Sequence, residues 1–287
     1  LELFQWLVDP LQFQFMQRAL LEVVLMGVTC GLIGTYVVLR GMAFIGDALA
    51  HAIFPGVVIA FLLRTSFFAG ALVFGLLTAF TIGALARNRR VSEDTAIGVL
   101  FAGMFALGIV LISTQKGYTA DLASFLFGNV VSVGVEDMVA SAIVGLLVLV
   151  ALVLFHKELV LVAFDNDMAE AVGLRVWLVN LGLLMLMALT IVVSLRAVGN
   201  ILVVAMLVTP AASARLWTDR LRVMMGLSAL FGALAGAAGL FLSYHARWAA
   251  GGTIVLIVTA WFGVSLLVAP RHGLLWRSRG WAVQRDA

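Results

Sequence analysis

"RGMAFIGDALAHAIFPGVVIAFLL", residues 40–63, decides how the chain is read. From Met42 to Leu63 the run is apolar enough, and long enough, to cross a bilayer as one helix. About 20 residues suffice for that, because each rises about 1.5 Å. Yet the run carries an acid, Asp47, and an imidazole, His51, with Pro55 just beyond. An ionisable side chain at membrane depth costs at least about 2.5–3.5 kcal/mol on insertion scales. It persists where it faces a bundle interior or a wet path.

Similar apolar runs recur on both sides of this stretch. Of 287 residues, 63% are hydrophobic and 11% charged, against roughly 25% charged in a soluble domain. A soluble fold could not hide that surface. Nine spans are expected, near 16–39, 42–63, 67–86, 95–114, 136–155, 175–195, 198–217, 221–243 and 249–269. The fold class is therefore an all-α polytopic membrane protein with about nine transmembrane helices, or eight if one is re-entrant. It makes a single transmembrane domain over 1–287. The stretch "LELFQWLVDPLQFQF" lacks a basic start and a small-residue cleavage pattern, so 1–15 is expected to be an interfacial segment rather than a signal peptide.

Basic residues set the orientation. Thirteen of the 18 Lys and Arg fall in one set of loops, Arg87, Arg89 and Arg90 among them. The other set holds five: Arg18, Arg64, Lys116, Arg196 and Arg247. The richer set belongs in the cytoplasm. With nine spans the N-terminus is outside and the C-terminal tail, 270–287, cytoplasmic. This pattern marks a protein in a lipid bilayer and not a nucleic-acid binder. Cys30 is the only cysteine, which excludes an internal disulfide and a Cys-rich metal site. No G-x-x-x-x-G-K-[ST], H-E-x-x-H or G-x-S-x-G occurs, so no P-loop ATPase or hydrolytic signature is present.

Two loops stand out. The outer one, 115–135, is too apolar for a solvated loop and is broken at Gly128-Asn129. It is expected to be a re-entrant hairpin. The inner loop, 156–174, holds "FDNDMAEAVGL". Asp165 fits a helix N-cap and Gly173 a stop. A helix of about two turns is expected within 164–174. So short a helix needs something to pack against: its own bundle, or a cytoplasmic partner.

Asp47 and His51 share one helix face, with Cβ atoms about 5–6 Å apart. Three readings fit: a hydrogen bond that glues helices, a proton relay, or a transient metal site. One carboxylate and one imidazole are an incomplete ligand set, which two facing chains would double. Oxygen and nitrogen donors without thiolate suit Zn2+ or Mn2+, not Cu+. Pro55 and Pro210 are expected to kink their helices. Glu22 is expected near the outer interface as a pairing or snorkelling residue.

The motifs together resemble those of the permease subunits of manganese/zinc/iron ABC importers. "RGMAFIGDALAHAIFPGVVIAFLL" is similar to that family's signature, "FDNDMAEAVGL" to its coupling segment and "VGNILVVAMLVTPAASARL" (198–216) to its Pro-Ala-Ala helix. The resemblance implies a fold related to the vitamin B12 and ferric-chelate permeases, and an importer of Mn2+, Zn2+ or Fe2+ with no permanently bound cofactor. ATP hydrolysis would fall to a separate subunit. The implied partners are a second permease subunit in a homodimer, two cytoplasmic ABC ATPase subunits and an extracytoplasmic metal-binding protein, in a bacterial plasma membrane. Asp47 and His51 match the metal residues. Phe164, Asp165, Asp167, Glu170, Ala171, Gly173 and Leu174 match the segment that docks on the ATPase. The alternative function is a stand-alone proton-coupled metal carrier.

Overall fold

A computed structural model describes residues 8–87, 92–114 and 133–275. Those residues form twelve helices: α1 Gln14–Leu39, α2 Ile45–Ala52, α3 Phe54–Leu62, α4 Phe67–Ala86, α5 Glu93–Ser113, α6 Val135–Leu154, α7 His156–Phe164, α8 Asn166–Ala171, α9 Val176–Val198, α10 Asn200–Trp217, α11 Leu221–Ala246 and α12 Ala250–Val268. Nine stretches are long and apolar enough to span a membrane, with α2 and α3 counting as one. They coincide with the expected spans to within a few residues. Residues 1–7 of the interfacial segment, 115–132 of the hairpin and 276–287 of the tail lie outside the described residues.

Helix ends close their own hydrogen bonds. Gly41, at φ +70°, ends α1: its N–H reaches Val38 O at 3.2 Å and the Met42 N–H reaches Val37 O at 3.0 Å. Both orphan carbonyls are satisfied, as a Schellman cap requires. That turn lets α2 start back into the bundle directly after the basic Arg40.

In lipid, helices gain little from hiding oil from oil, so close packing through small residues joins them. Helix α1 is the centre of this packing. It lies against α11, α10 and α6. A Cβ on Gly27 would stand 2.6 Å from the Gly232 carbonyl carbon of α11, and one on Gly31 would stand 2.7 Å from Ser228 O. Ser228 Oγ donates to Gly31 O at 2.7 Å. Further in, Gly34 meets the Leu207 backbone of α10. Glu22 is 1% exposed and accepts a hydrogen bond from Ser141 Oγ of α6 at 2.5 Å. It pairs inside the bundle and does not snorkel.

The loop 156–174 holds more helix than its sequence suggested. Helix α7 precedes α8 and buries Leu159 and Val162 on one face. A run of nine residues with an i, i+3 apolar pair is too short to announce itself. Tyr36 of α1 and His156 of α7 meet at 3.0 Å between hydroxyl and Nδ1. Beyond α12, the His272 N–H reaches Leu216 O at 3.2 Å. His272 Nε2 donates to Asp219 at 3.0 Å. That bond, with Arg215 and Arg271 nearby, holds the Asp219 carboxyl below the usual carboxylate range.

The α1–α11 contact leaves no room for a side chain at Gly232. Gly232→Val is expected to lower the detergent-solubilised melting temperature by several degrees or to prevent folding, since overpacking costs about 1–3 kcal/mol or more. Gly263→Ala, where an added Cβ meets nothing within 4 Å, is expected to leave the melt unchanged.

Candidate functional site

Asp47 lies in the first turn of α2 and His51 one turn later. His51 Nδ1 is 2.9 Å from the Asp47 carbonyl oxygen and 3.3 Å from its Oδ1. With Nδ1–H donating to these acceptors, Nε2 keeps its lone pair for a ligand. An oriented, basic imidazole of this kind is the usual metal-binding arrangement. The i, i+4 spacing thus does two things: it places both donors on one face, and it selects the tautomer.

Two other helices hold the ring. Phe101 and Phe105 of α5 meet it edge-on, at 5.4 and 5.3 Å between centroids. Those two rings stack on each other at 6.2 Å. From α10 comes Asn200, 3% exposed, whose Nδ2 stands 3.5 Å from both His51 nitrogens. Gly199, with φ +81°, makes the corner between α9 and α10 that puts Asn200 there. The other side of the site is open on the single subunit. Asp47 is 46% exposed and His51 23%, and Phe44 on the same face is 84% exposed.

Among the described residues, no three His, Cys, Asp or Glu side chains gather into a metal-binding group. Asp47 and His51 by themselves supply two donor side chains, one carboxylate and one imidazole.

The helix is interrupted at the site. α2 stops at Ala52 and α3 starts at Phe54, with Pro55 in its first turn. Pro55 stands four residues after His51 and has no N–H, so the His51 carbonyl loses its ordinary helical donor. Pro210 behaves differently, because α10 runs through it without a break from Asn200 to Trp217.

The candidate coupling residues lie elsewhere, on the α7–α9 segment. Asp165 caps α8 by accepting from the Met168 N–H at 2.8 Å. Gly173, at φ +91°, stops it, with the Leu174 N–H on Ala169 O at 3.0 Å. Ala169 is buried, while Phe164, Met168 and Val172 are exposed apolar groups. Asp167, Glu170 and Ala171 lie on α8 itself. Glu170, Gly173 and Leu174 also border a cavity of about 450 Å³, which continues to Arg87 and Trp177. Arg87 stacks over the Trp177 ring at 5.2 Å.

Sequence reasoning missed Phe101, Phe105 and Asn200. Nothing in the aromatic pair's apolar surroundings in sequence sets it apart. Asn200 did carry a signal, being a polar residue after Gly199 at the head of "ILVVAML", but that stretch stood out for Pro210 and for its likeness to a family helix.

The profile of the ABC 3 transport family matches residues 12–269. A manganese transport system membrane protein, MntC, of Halalkalibacterium halodurans is 44% identical over 272 residues, covering 94% of this chain and 93% of that protein. The structure of PsaBC from Streptococcus pneumoniae in complex with Fab superposes with a TM-score of 0.81 at 42% identity, covering 93% of this chain and 96% of that one. A metal-chelate type ABC transporter in an inward-facing conformation shares the fold at 16% identity, with a TM-score of 0.72 and coverage of 88% and 85%.

The cap on α8 is testable by itself. Asp165→Ala removes the acceptor for the Met168 N–H, a loss of about 1 kcal/mol. Hydrogen exchange at the Met168 and Ala169 amides is expected to speed up about fivefold, with exchange in α1 and α11 unchanged.

Proposed function

The chain belongs to the ABC 3 transport family, and we infer that it is the membrane permease subunit of an ATP-binding-cassette importer for a divalent transition metal. Mn2+ is the first candidate because relatives are named for manganese; Zn2+ and Fe2+ suit the same donors. One observation carries the reading: the Asp47–His51 pair stands at membrane depth with its open side uncovered by the subunit's own helices. A bare carboxylate there is tolerable when it faces a polar path or another subunit, not hydrocarbon. The metal is cargo. A site with few ligands holds an ion briefly, and conduction needs release as much as binding.

The assembly follows from the same chemistry. A second permease subunit, in a homodimer, covers the α2 face of Phe44, Asp47 and His51 and doubles the ligand set. The chain has no P-loop, so two separate cytoplasmic ATPase subunits supply the energy. Helix α8 and its flanks, 164–174, dock on them. The exposed Phe164, Met168 and Val172 support this, being apolar groups that a solvated helix has no reason to display. An extracytoplasmic metal-binding protein delivers the ion at the outer mouth. The protein lies in the bacterial plasma membrane, N-terminus outside and C-terminus in the cytoplasm, a reading that the distribution of Lys and Arg supports.

Reconstitution tests this reading. With ATPase and metal-binding protein present, Asp47→Ala/His51→Ala proteoliposomes are expected to lose Mn2+ uptake by at least a hundredfold. The complex is expected to elute intact on size exclusion. Wild-type rates in the double variant would remove the site. ATP-independent uptake by the purified chain alone would replace the importer with a proton-coupled carrier.

A further inference from the structure

We propose that Asn200 is the third ligand residue of each subunit: its side-chain amide oxygen joins Asp47 and His51 on the passing ion and biases the site toward Mn2+ over Zn2+. This rests on the reading that the ion passes the Asp47–His51 pair.

The side chain is placed for that task and for no visible other. Asn200 is 3% exposed, and its Oδ1 is buried without a hydrogen-bond partner among the described residues. A buried carbonyl oxygen left unpaired is costly, and native structures hold few. Its Nδ2, 3.5 Å from both ring nitrogens of His51, makes at best a long hydrogen bond. The amide is therefore near the ring but committed to neither nitrogen. A half-turn of the terminal amide exchanges oxygen and nitrogen and brings Oδ1 to that same place beside the ring.

The amide lies close enough to reach a shared ion. With bonds of about 2.1 Å, two ligand atoms on one metal stand about 3.0 Å apart at an octahedral edge and about 3.4 Å at a tetrahedral one. The amide nitrogen now stands 3.5 Å from both His51 nitrogens, so the side chain swings off the ring toward Nε2 when its oxygen takes up an octahedral ion. The position is also firmly held. Gly199 takes a φ of +81° that other residues resist, and it fixes the start of α10 against α2.

The chemistry supplies the bias. An amide oxygen is a hard, neutral donor of the class that suits Mn2+, whereas Zn2+ is well served by imidazole. Adding Asn200 makes the set one carboxylate oxygen, one amide oxygen and one imidazole nitrogen per subunit. Before the ion arrives, the same amide offers an N–H to the ring. It then turns its oxygen to the metal.

The test compares Asn200→Leu and Asn200→Asp with wild type and with Asp47→Ala/His51→Ala, in the full reconstituted complex, with Mn2+ and Zn2+ as separate cargoes. Asn200→Leu keeps the volume and removes both polar atoms. It is expected to lower kcat/KM for Mn2+ at least tenfold, mainly through KM, and to lower that for Zn2+ less than threefold. Asn200→Asp keeps an oxygen and is expected to hold KM for Mn2+ at or below the wild-type value. Asn200→Leu within twofold of wild type overturns the proposal. So do equal losses for the two metals, and so does an Asn200→Asp variant as impaired as Asn200→Leu. If only the Asp47/His51 variant is inactive, the path stands and Asn200 is not on it; if that variant is active, the path itself is wrong.

Discussion

Hydrocarbon offers a peptide group nothing to bond to, and this constraint shapes the whole molecule. Backbone regularity can be broken inside a membrane only where protein or polar side chains line the break. The described structure breaks it in two places that meet. One is the interruption between α2 and α3, where Pro55 withdraws the donor that the His51 carbonyl would use. The other is the Gly199 corner between α9 and α10. Each brings a polar side chain to the same point, His51 from one and Asn200 from the other. The polar site and the irregular backbone are thus one feature, since neither would be tolerated alone in lipid.

Around that point the bundle is held by proximity rather than by oil leaving water. Gly27, Gly31 and Gly34 form a small-residue stripe down α1, and α11 and α10 approach it closely enough to exclude any larger residue. Packing of this kind resists gradual deformation, because interlocked backbones shift as bodies or not at all. The face of α2 that carries Phe44 and Asp47 is different: both are exposed to a large degree, while His51 beside them is mostly covered by Phe101, Phe105 and Asn200.

Helix α9 links the two candidate regions. It begins next to the candidate coupling segment at Arg175 and ends at the Gly199 corner beside His51. Helix α7 ties that segment back to α1 through the Tyr36–His156 contact. The arrangement of α8 was legible from residue types alone, because an N-cap aspartate and a left-handed glycine act on their own neighbours. Helix α7 was not, since Leu159 and Val162 declare a buried face only when α1, α6 and α9 are there to receive it.

The sequence by itself determined what depends on length and local chemistry: nine apolar runs of spanning length, the Asp47–His51 spacing on one helical turn, the cap at Asp165 and the stop at Gly173. These need no distant partner, because a bilayer's thickness and a helix's pitch are the same wherever the chain goes. Only the tertiary structure decided what depends on separate helices arriving together. It turned Glu22 inward to Ser141, set Phe101 and Phe105 against His51, and delivered Asn200 from a span that lies 149 residues further along the chain. Hydropathy records how oily a residue's neighbours in sequence are, and it is silent on which side chain of another helix completes a polar site.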